Sequence, residues 1–147
     1  MENIALESTM RVLLISANRE DINMVTLPLG LALVAASVQQ SGHEVELLDL
    51  MRADDVRGRI EAAIRRFEPE VIGISVRNID DQNMARPRFL LEQVKEVVEV
   101  CREHSEAPLI LGGAGYSIFP QAALEYLGRT WASRARASGP SRSCCGG

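Results

Sequence analysis

Four short apolar runs, each followed by a stretch patterned as a helix, constrain this chain more than any other feature. The runs are "MRVLLISA" at 10–17, "HEVELLDL" at 43–50, "EVIGISV" at 70–76 and "APLILGG" at 107–113. They are rich in Leu, Ile and Val and mostly continuous rather than alternating, which fits strands buried on both faces. Pro28 stands at the start of a helix through "LGLALVAASVQQ" that Gly42 terminates. Val56, Ile60, Ala63, Ile64 and Phe67 recur at three-to-four spacing until Pro69 stops them. Pro87 starts a longer helix with Phe89, Leu90, Val94, Val97, Val98 and Cys101 on one face, and "FPQAALEYLG" reads as the fourth helix. Strand and helix in this rhythm require right-handed crossovers and a parallel sheet covered on both faces. The expected fold is a doubly wound, flavodoxin-like or Rossmann-like α/β sheet with strand order 2-1-3-4. A fifth strand is wanted after Gly128, and the tail offers no segment that reads as one.

Charge divides the chain. Residues 129–147, "RTWASRARASGPSRSCCGG", carry four Arg and no acidic residue, while the whole chain has 16 basic and 20 acidic side chains. The first 128 residues therefore hold a net charge of −8, an abrupt change that marks a boundary, and the whole-chain charge of −4 gives no reason to expect nucleic acid or an anionic membrane as partner. The expected organisation is a disordered extension over 1–9, one domain over 10–128 and a disordered tail over 129–147. "MENIALEST" lacks a basic leader, and "VTLPLGLALVAASV" is too short to span a bilayer. The expected location is the cytoplasm. Cys101, Cys144 and Cys145 have neither metal nor disulfide-framework spacing.

In such sheets ligands bind beyond the carboxyl ends of the strands. That edge is expected to carry "SANRED", "SVRNIDD" and "GGAGYS", whereas His43 and His104 fall in helix-to-strand turns at the opposite edge. Several common uses of the fold fail here. The loop after strand one has no glycine, which excludes both a dinucleotide fingerprint and a Walker A loop. Strand three ends in Ser75 where a phosphorelay receiver would need Asp, and "SANRED" is not a Ser/Thr/Gly phosphate loop. What remains is a hydroxyl at Ser75, glycines at 112 and 113 that let a bulky group lie against backbone, and Ser117 as a polar contact or a helix cap. The other reading is that the glycines only make a tight strand-to-helix turn and Ser75 satisfies its own loop.

These residues resemble a family. "VLLIS", "PLGLALVAASVQQSGHEVELLDL", "FEPEVIGISVRN" and "LILGGAGYSIFPQAALEYLG", in this order, are similar to the cobalamin-binding domain at the N-terminus of B12-dependent radical SAM enzymes. The resemblance implies strand ends that accept the dimethylbenzimidazole nucleotide tail, with the corrin above. By position, Ser75, Gly112, Gly113 and Ser117 would line the tail pocket, and Pro28, Leu29, Gly30, Arg77 and Asn78 would lie nearer the corrin. Arg77 is also open to reading as a solvated loop cation. Methionine-synthase-type domains carry D-x-H-x-x-G after strand one, and this loop has "DIN" and no His. The resemblance therefore implies base-off cobalamin with no protein imidazole on cobalt. In the family a barrel follows, whose C-x-x-x-C-x-x-C motif holds an iron–sulfur cluster that cleaves S-adenosylmethionine for methyl transfer. This chain lacks that motif, so it is expected to bind and not to catalyse by itself. The alternative function is a cofactor-free flavodoxin-like regulatory or interaction domain.

After "EYLG" the family expects a segment of the form A-D-x-G-I-x-G-E-G-E. Arg outnumbers Lys fifteen to one, as in a GC-rich gene. Back-translated with GC-rich codons and read in a shifted frame, Gly128 onward yields A-D-L-G-I-A-G-E-G-E. The tail is thus expected to be a frameshift product; a genuine Arg/Ser tail or an appended segment are the rivals. Loss of strand five would expose the edge of strand four and weaken the domain, its cobalamin binding, or both.

Overall fold

The computed structural model describes residues 8–19, 27–77, 91–118, 125, 127 and 131–132. The elements are β1 (Arg11–Ser16), α1 (Leu29–Gln40), β2 (Glu44–Asp49), α2 (Val56–Phe67), β3 (Val71–Ser75), α3 (Leu91–His104), β4 (Leu109–Gly112), α4 (Ala114–Ile118) and β5 (Trp131–Ala132). All pairings are parallel, in the order β2-β1-β3-β4-β5. The four longer strands keep the expected 2-1-3-4 order. Where a full fifth strand would lie, Trp131 and Ala132 are the described residues that pair, with Ile110 and Leu111. The tail thus supplies a two-residue strand that its composition did not announce, because the open edge of β4 offers backbone groups to any extended segment.

Local chemistry explains the element ends. Gly42 sits at φ +86, its N–H bonded to the Gln39 carbonyl and that of His43 to Val38, a Schellman closure of α1. Asp55 caps α2 by accepting from the Gly58 amide at 2.9 Å. Glu68, left-handed at φ 48, turns the chain out of that helix.

Among the described residues the two faces of the sheet are covered unequally. One face presents Leu13, Ile15, Ile72, Ile74, Leu109 and Leu111 to α2 and α3, whose Ile60, Ala63, Val97, Val98 and Cys101 are buried against them. The other face presents Val12, Leu14, Val71, Gly73 and Ile110. Among the described residues only α1 packs there, and Val12, Leu14 and Leu31 form its small buried cluster. α1 contains no charged residue, and Leu29 and Leu33 stay 68 % and 65 % exposed. No helix among the described residues is long and apolar enough to cross a membrane.

The expected extension over 1–9 and tail over 129–147 lie almost wholly outside the described residues, as does Asn78.

Candidate functional site

Parallel pairing lines up one residue from each strand at the carboxyl edge: Asp49, Ser16, Ser75 and Gly112 are register partners across the sheet. Ser16, the buried polar residue of the core, is only 5 % exposed. Its hydroxyl and that of Ser75 therefore stand side by side where β1 and β3 end.

The turn after β4 is built around Val76. The Val76 amide donates to the Gly112 carbonyl at 2.7 Å, and the Gly115 amide donates to the Val76 carbonyl at 3.0 Å. Gly113 adopts φ +102, and a Cβ there would lie 2.5 Å from the Val76 oxygen. Glycine is required at 113 by conformation and by backbone contact. Gly112 differs: a Cβ there would meet nothing within 4 Å. Its lack of a side chain keeps space open instead.

That space belongs to a cavity of about 540 Å³. It opens at the strand ends and runs along the sheet face beneath α1. Its mouth carries Ser16, Asn18, Ser75 and Arg77, with Pro28, Leu29 and Gly30 on the helix side and Gly112 and Gly113 on the β4 side. Its interior is lined by Val12, Leu14, Leu31, Val38, Val71 and Ile110. The volume lies in the range of ligand pockets, roughly 300–1,000 Å³, and an apolar lining with a few polar groups at one end is their usual composition. Arg19 bonds to Glu96 at 2.9 Å and so ties the chain leaving β1 to α3.

Pro28, Leu29, Gly30, Ser75, Arg77, Gly112 and Gly113 are thus brought to one cavity. Ser117 is not: its hydroxyl donates to the Gly113 carbonyl at 3.0 Å and the residue is exposed on α4. Ser16, Asn18, Gly73 and the aliphatic interior escaped sequence reasoning. The period-two step from Ser75 to Gly73 and Val71 was the available signal for the interior.

Both histidines lie at the opposite edge. His43 Nδ1 accepts from the Met10 amide at 3.3 Å, and His104 Nε2 is 3.9 Å from Glu61 on α2. The Cys101 thiol lies under the other face, where burial pushes its pKa up to about 12. It is no nucleophile at neutral pH. Among the described residues no cluster of His, Cys, Asp and Glu could hold a metal ion.

Comparison with known proteins agrees with this geometry. Tryptophan 2-C-methyltransferase of Streptomyces laurentii is 30% identical over 112 residues, which cover 76% of this chain and 19% of that protein. The radical S-adenosylmethionine methyltransferase TsrM from Kitasatospora setae, solved with cobalamin and a 4Fe-4S cluster bound, matches with a TM-score of 0.75 and 29% identity, over 81% of this chain and 21% of that one. The cobalamin-dependent S-adenosylmethionine radical enzyme OxsB, with aqua-cobalamin and S-adenosylmethionine bound, shares the fold at a TM-score of 0.59 and 18% identity, over 81% of this chain and 16% of that one. The chain thus spans about a fifth of the length of these relatives. Residues 15–140 match the family model described as the B12 binding domain. With a ligand-sized groove at the carboxyl edge of a 2-1-3-4 parallel sheet, this chain belongs to the B12-binding domain family and is related to the radical S-adenosylmethionine methyltransferases.

Proposed function

We propose that this chain binds cobalamin in the base-off form, as the cobalamin module of a methyltransferase of the radical S-adenosylmethionine type. The observation that carries the proposal is the groove itself, polar where it opens at the strand ends and aliphatic where it runs under α1. A nucleotide tail has the matching polarity, with phosphate and ribose at one end and a flat benzimidazole at the other.

The Ser16 and Ser75 hydroxyls hydrogen-bond the ribose or phosphate, and Gly112 leaves room for that sugar against the backbone. Gly113 holds the turn that presents Gly112. Pro28, Leu29 and Gly30 give the corrin an apolar seat, which accounts for a leucine left 68 % exposed. Arg77, exposed on the groove's lining, pairs with the phosphate or a corrin amide, and Asn78, next in the sequence, is proposed with it as a corrin contact. Both histidines of the chain are held at the far edge of the sheet, so neither would be placed to ligate cobalt.

Bound cobalamin supplies a carrier for a methyl group. The chain's own residues only seat the cofactor and orient it. The three cysteines of the chain do not form a cluster-binding motif, and a radical S-adenosylmethionine barrel is the partner that completes the enzyme. A shifted reading frame over residues 129–147 is part of the same proposal, supported by the acidic glycine motif that the shifted frame yields, although the family model matches as far as residue 140 and Trp131 and Ala132 pair with β4.

Titration with hydroxocobalamin tests the reading. Saturable binding with the absorbance change of base detachment is expected. A folded circular-dichroism spectrum without binding would instead establish a cofactor-free interaction domain.

A further inference from the structure

Helix α1 is exposed in a way its composition does not account for. None of its residues is charged, and a helix without a charged face is ordinarily buried. One stripe, Leu31, Ala35 and Val38, packs on the chain's own sheet. On the opposite side Leu29, Leu33, Ala36 and, at the end, Gln40 recur at the four-three-four spacing of a helix packing seam, and all four are exposed. The large apolar side chains left exposed among the described residues gather here too. Leu27, Leu29, Leu33 and Val34 belong to α1 or its lead-in, and Leu47 lies on the neighbouring β2. Contiguous exposure of this kind marks an interaction surface.

The sheet face beside α1 is open over the width of one helix. A helix about 10 Å across covers two strands spaced about 4.8 Å apart. α1 rests on β2 and β1, so Val71 and Gly73 of β3 and Ile110 of β4 form an apolar floor with no helix of its own among the described residues. The other face of the sheet carries two helices, α2 and α3. β3 is about 17 Å long and α1 about 18 Å, so the outer stripe and the open floor match in length.

We infer that this face docks a second copy of the chain about a two-fold axis, the outer stripe of each α1 lying on the β3–β4 floor of the other. Stripe and floor sit side by side on one molecule, which is what an isologous contact needs: each copy gives one helix and receives one. Each sheet face then carries two helices abreast. No charge is buried in the contact, because neither α1 nor Val71, Gly73 and Ile110 carries one. The chain's own tail does not fit the floor, since residues 129–147 hold four Arg and no apolar stripe. A docked helix lies over the interior of the groove, so a second copy and a corrinoid exclude each other; that consequence, unlike the dimer itself, rests on the cobalamin reading.

Sedimentation velocity of the full chain under reducing conditions, over a concentration series, tests this. A reversible monomer–dimer equilibrium in the micromolar range is expected. Leu33 is 65 % exposed and lies outside the groove lining, so Leu33→Glu should keep a folded circular-dichroism spectrum. It should weaken the dimer at least about a hundredfold, because the two-fold axis buries the residue twice. Arg59→Glu, on the exposed side of α2 at the other face, should leave the dimer unchanged. A monomer at every concentration, as when a different partner covers the face, would overturn the inference. So would a dimer that Leu33→Glu leaves intact, or one that Arg59→Glu breaks equally. Saturating hydroxocobalamin should drive the wild type to monomer, and a dimer that binds it without dissociating would also overturn the inference. A dimer that binds no hydroxocobalamin would overturn the cobalamin reading alone.

Discussion

Gly112 and Gly113 are adjacent, yet the structure gives them different reasons to be glycine, and alanine at each position separates the two. At Gly113 the new Cβ would lie 2.5 Å from the Val76 oxygen, 3.0 Å from the Val76 nitrogen and 3.1 Å from Ser75 Oγ. Two of those atoms are backbone and cannot swing aside. A non-glycine residue held at φ +102 costs about 1–3 kcal/mol. Displacing Val76 also strains the hydrogen bonds it makes with Gly112 and Gly115, worth about 1 kcal/mol each. Gly113→Ala should therefore lose roughly 2–4 kcal/mol. For a domain of this size that is a fall of roughly 5–15 °C in Tm. Gly112→Ala meets nothing and gains about 0.5 kcal/mol from reduced chain entropy, while its methyl intrudes on the groove. Urea denaturation followed by far-UV circular dichroism measures both, and cobalamin titration measures the second. If Gly113→Ala unfolds within about 0.5 kcal/mol of wild type, the turn is not held by Val76 as described and the reasoning fails.

Ile72→Ala empties a fully buried position and should cost about 2–5 kcal/mol in the same assay, whereas Ile110→Ala, partly exposed in the groove, should cost under about 1.5 kcal/mol and weaken cobalamin binding. Asp55→Ala removes the cap on α2 and should lose about 1 kcal/mol. In a Cys144→Ser, Cys145→Ser background, Cys101 should resist alkylation until the protein unfolds. Its folded pKa is raised to about 12 against 9.0, so the unfolded thiol ionises first and stability should decline as pH rises from 9 towards 12; alkylation of the folded protein at pH 9 would contradict the burial. Sequencing the gene should reveal an acidic glycine loop encoded in the shifted frame from codon 128 onward, followed by a barrel-encoding frame, and a downstream sequence without one would remove the frameshift proposal.

The elements were legible because their signals are local. Val56, Ile60, Ala63 and Ile64 announce one helix face, and all four are buried on α2. Likewise Val94, Val97, Val98 and Cys101 bury the inner side of α3. Gly42 declared the end of α1 through its required conformation. The groove was less legible because it depends on what strands and helices do to one another. Ser16 sits inside an apolar run and reads as a strand residue until register places it beside Ser75. Gly73 reads as a weak spot in β3 until Leu14 and Ile110 are known to flank it. Ser117 could be read as a ligand contact or as a helix residue, and a hydroxyl one turn from the Gly113 carbonyl took the local partner. Nor does an uncharged helix such as α1 say which side faces the sheet, because most of its surface is apolar.

The unequal cover of the two sheet faces by the described residues then has a physical consequence. A groove that admits a ligand cannot also be packed to native density, so its lining contributes less to folding than an equal area of closed core. Here α2 and α3 close one face, where Leu13, Ile15, Ile60, Ile72, Val97 and Val98 are all fully buried. Burial on that scale contributes about 1.5–3 kcal/mol per large side chain. The other face can then keep Gly73 and Gly112 without side chains and leave Ile110 half-covered, at a cost the closed face offsets. Substitutions should divide the same way: across α2, α3 and the strand residues they cover, stability falls first, and across the groove, binding falls first. Ile72 and Ile110 are neighbours across β3 and β4 but point to opposite faces, which makes them the sharpest pair for the division. Equal losses of stability at both positions would mean that the groove face is packed as core, and a site for a cofactor would have to be sought elsewhere on the sheet.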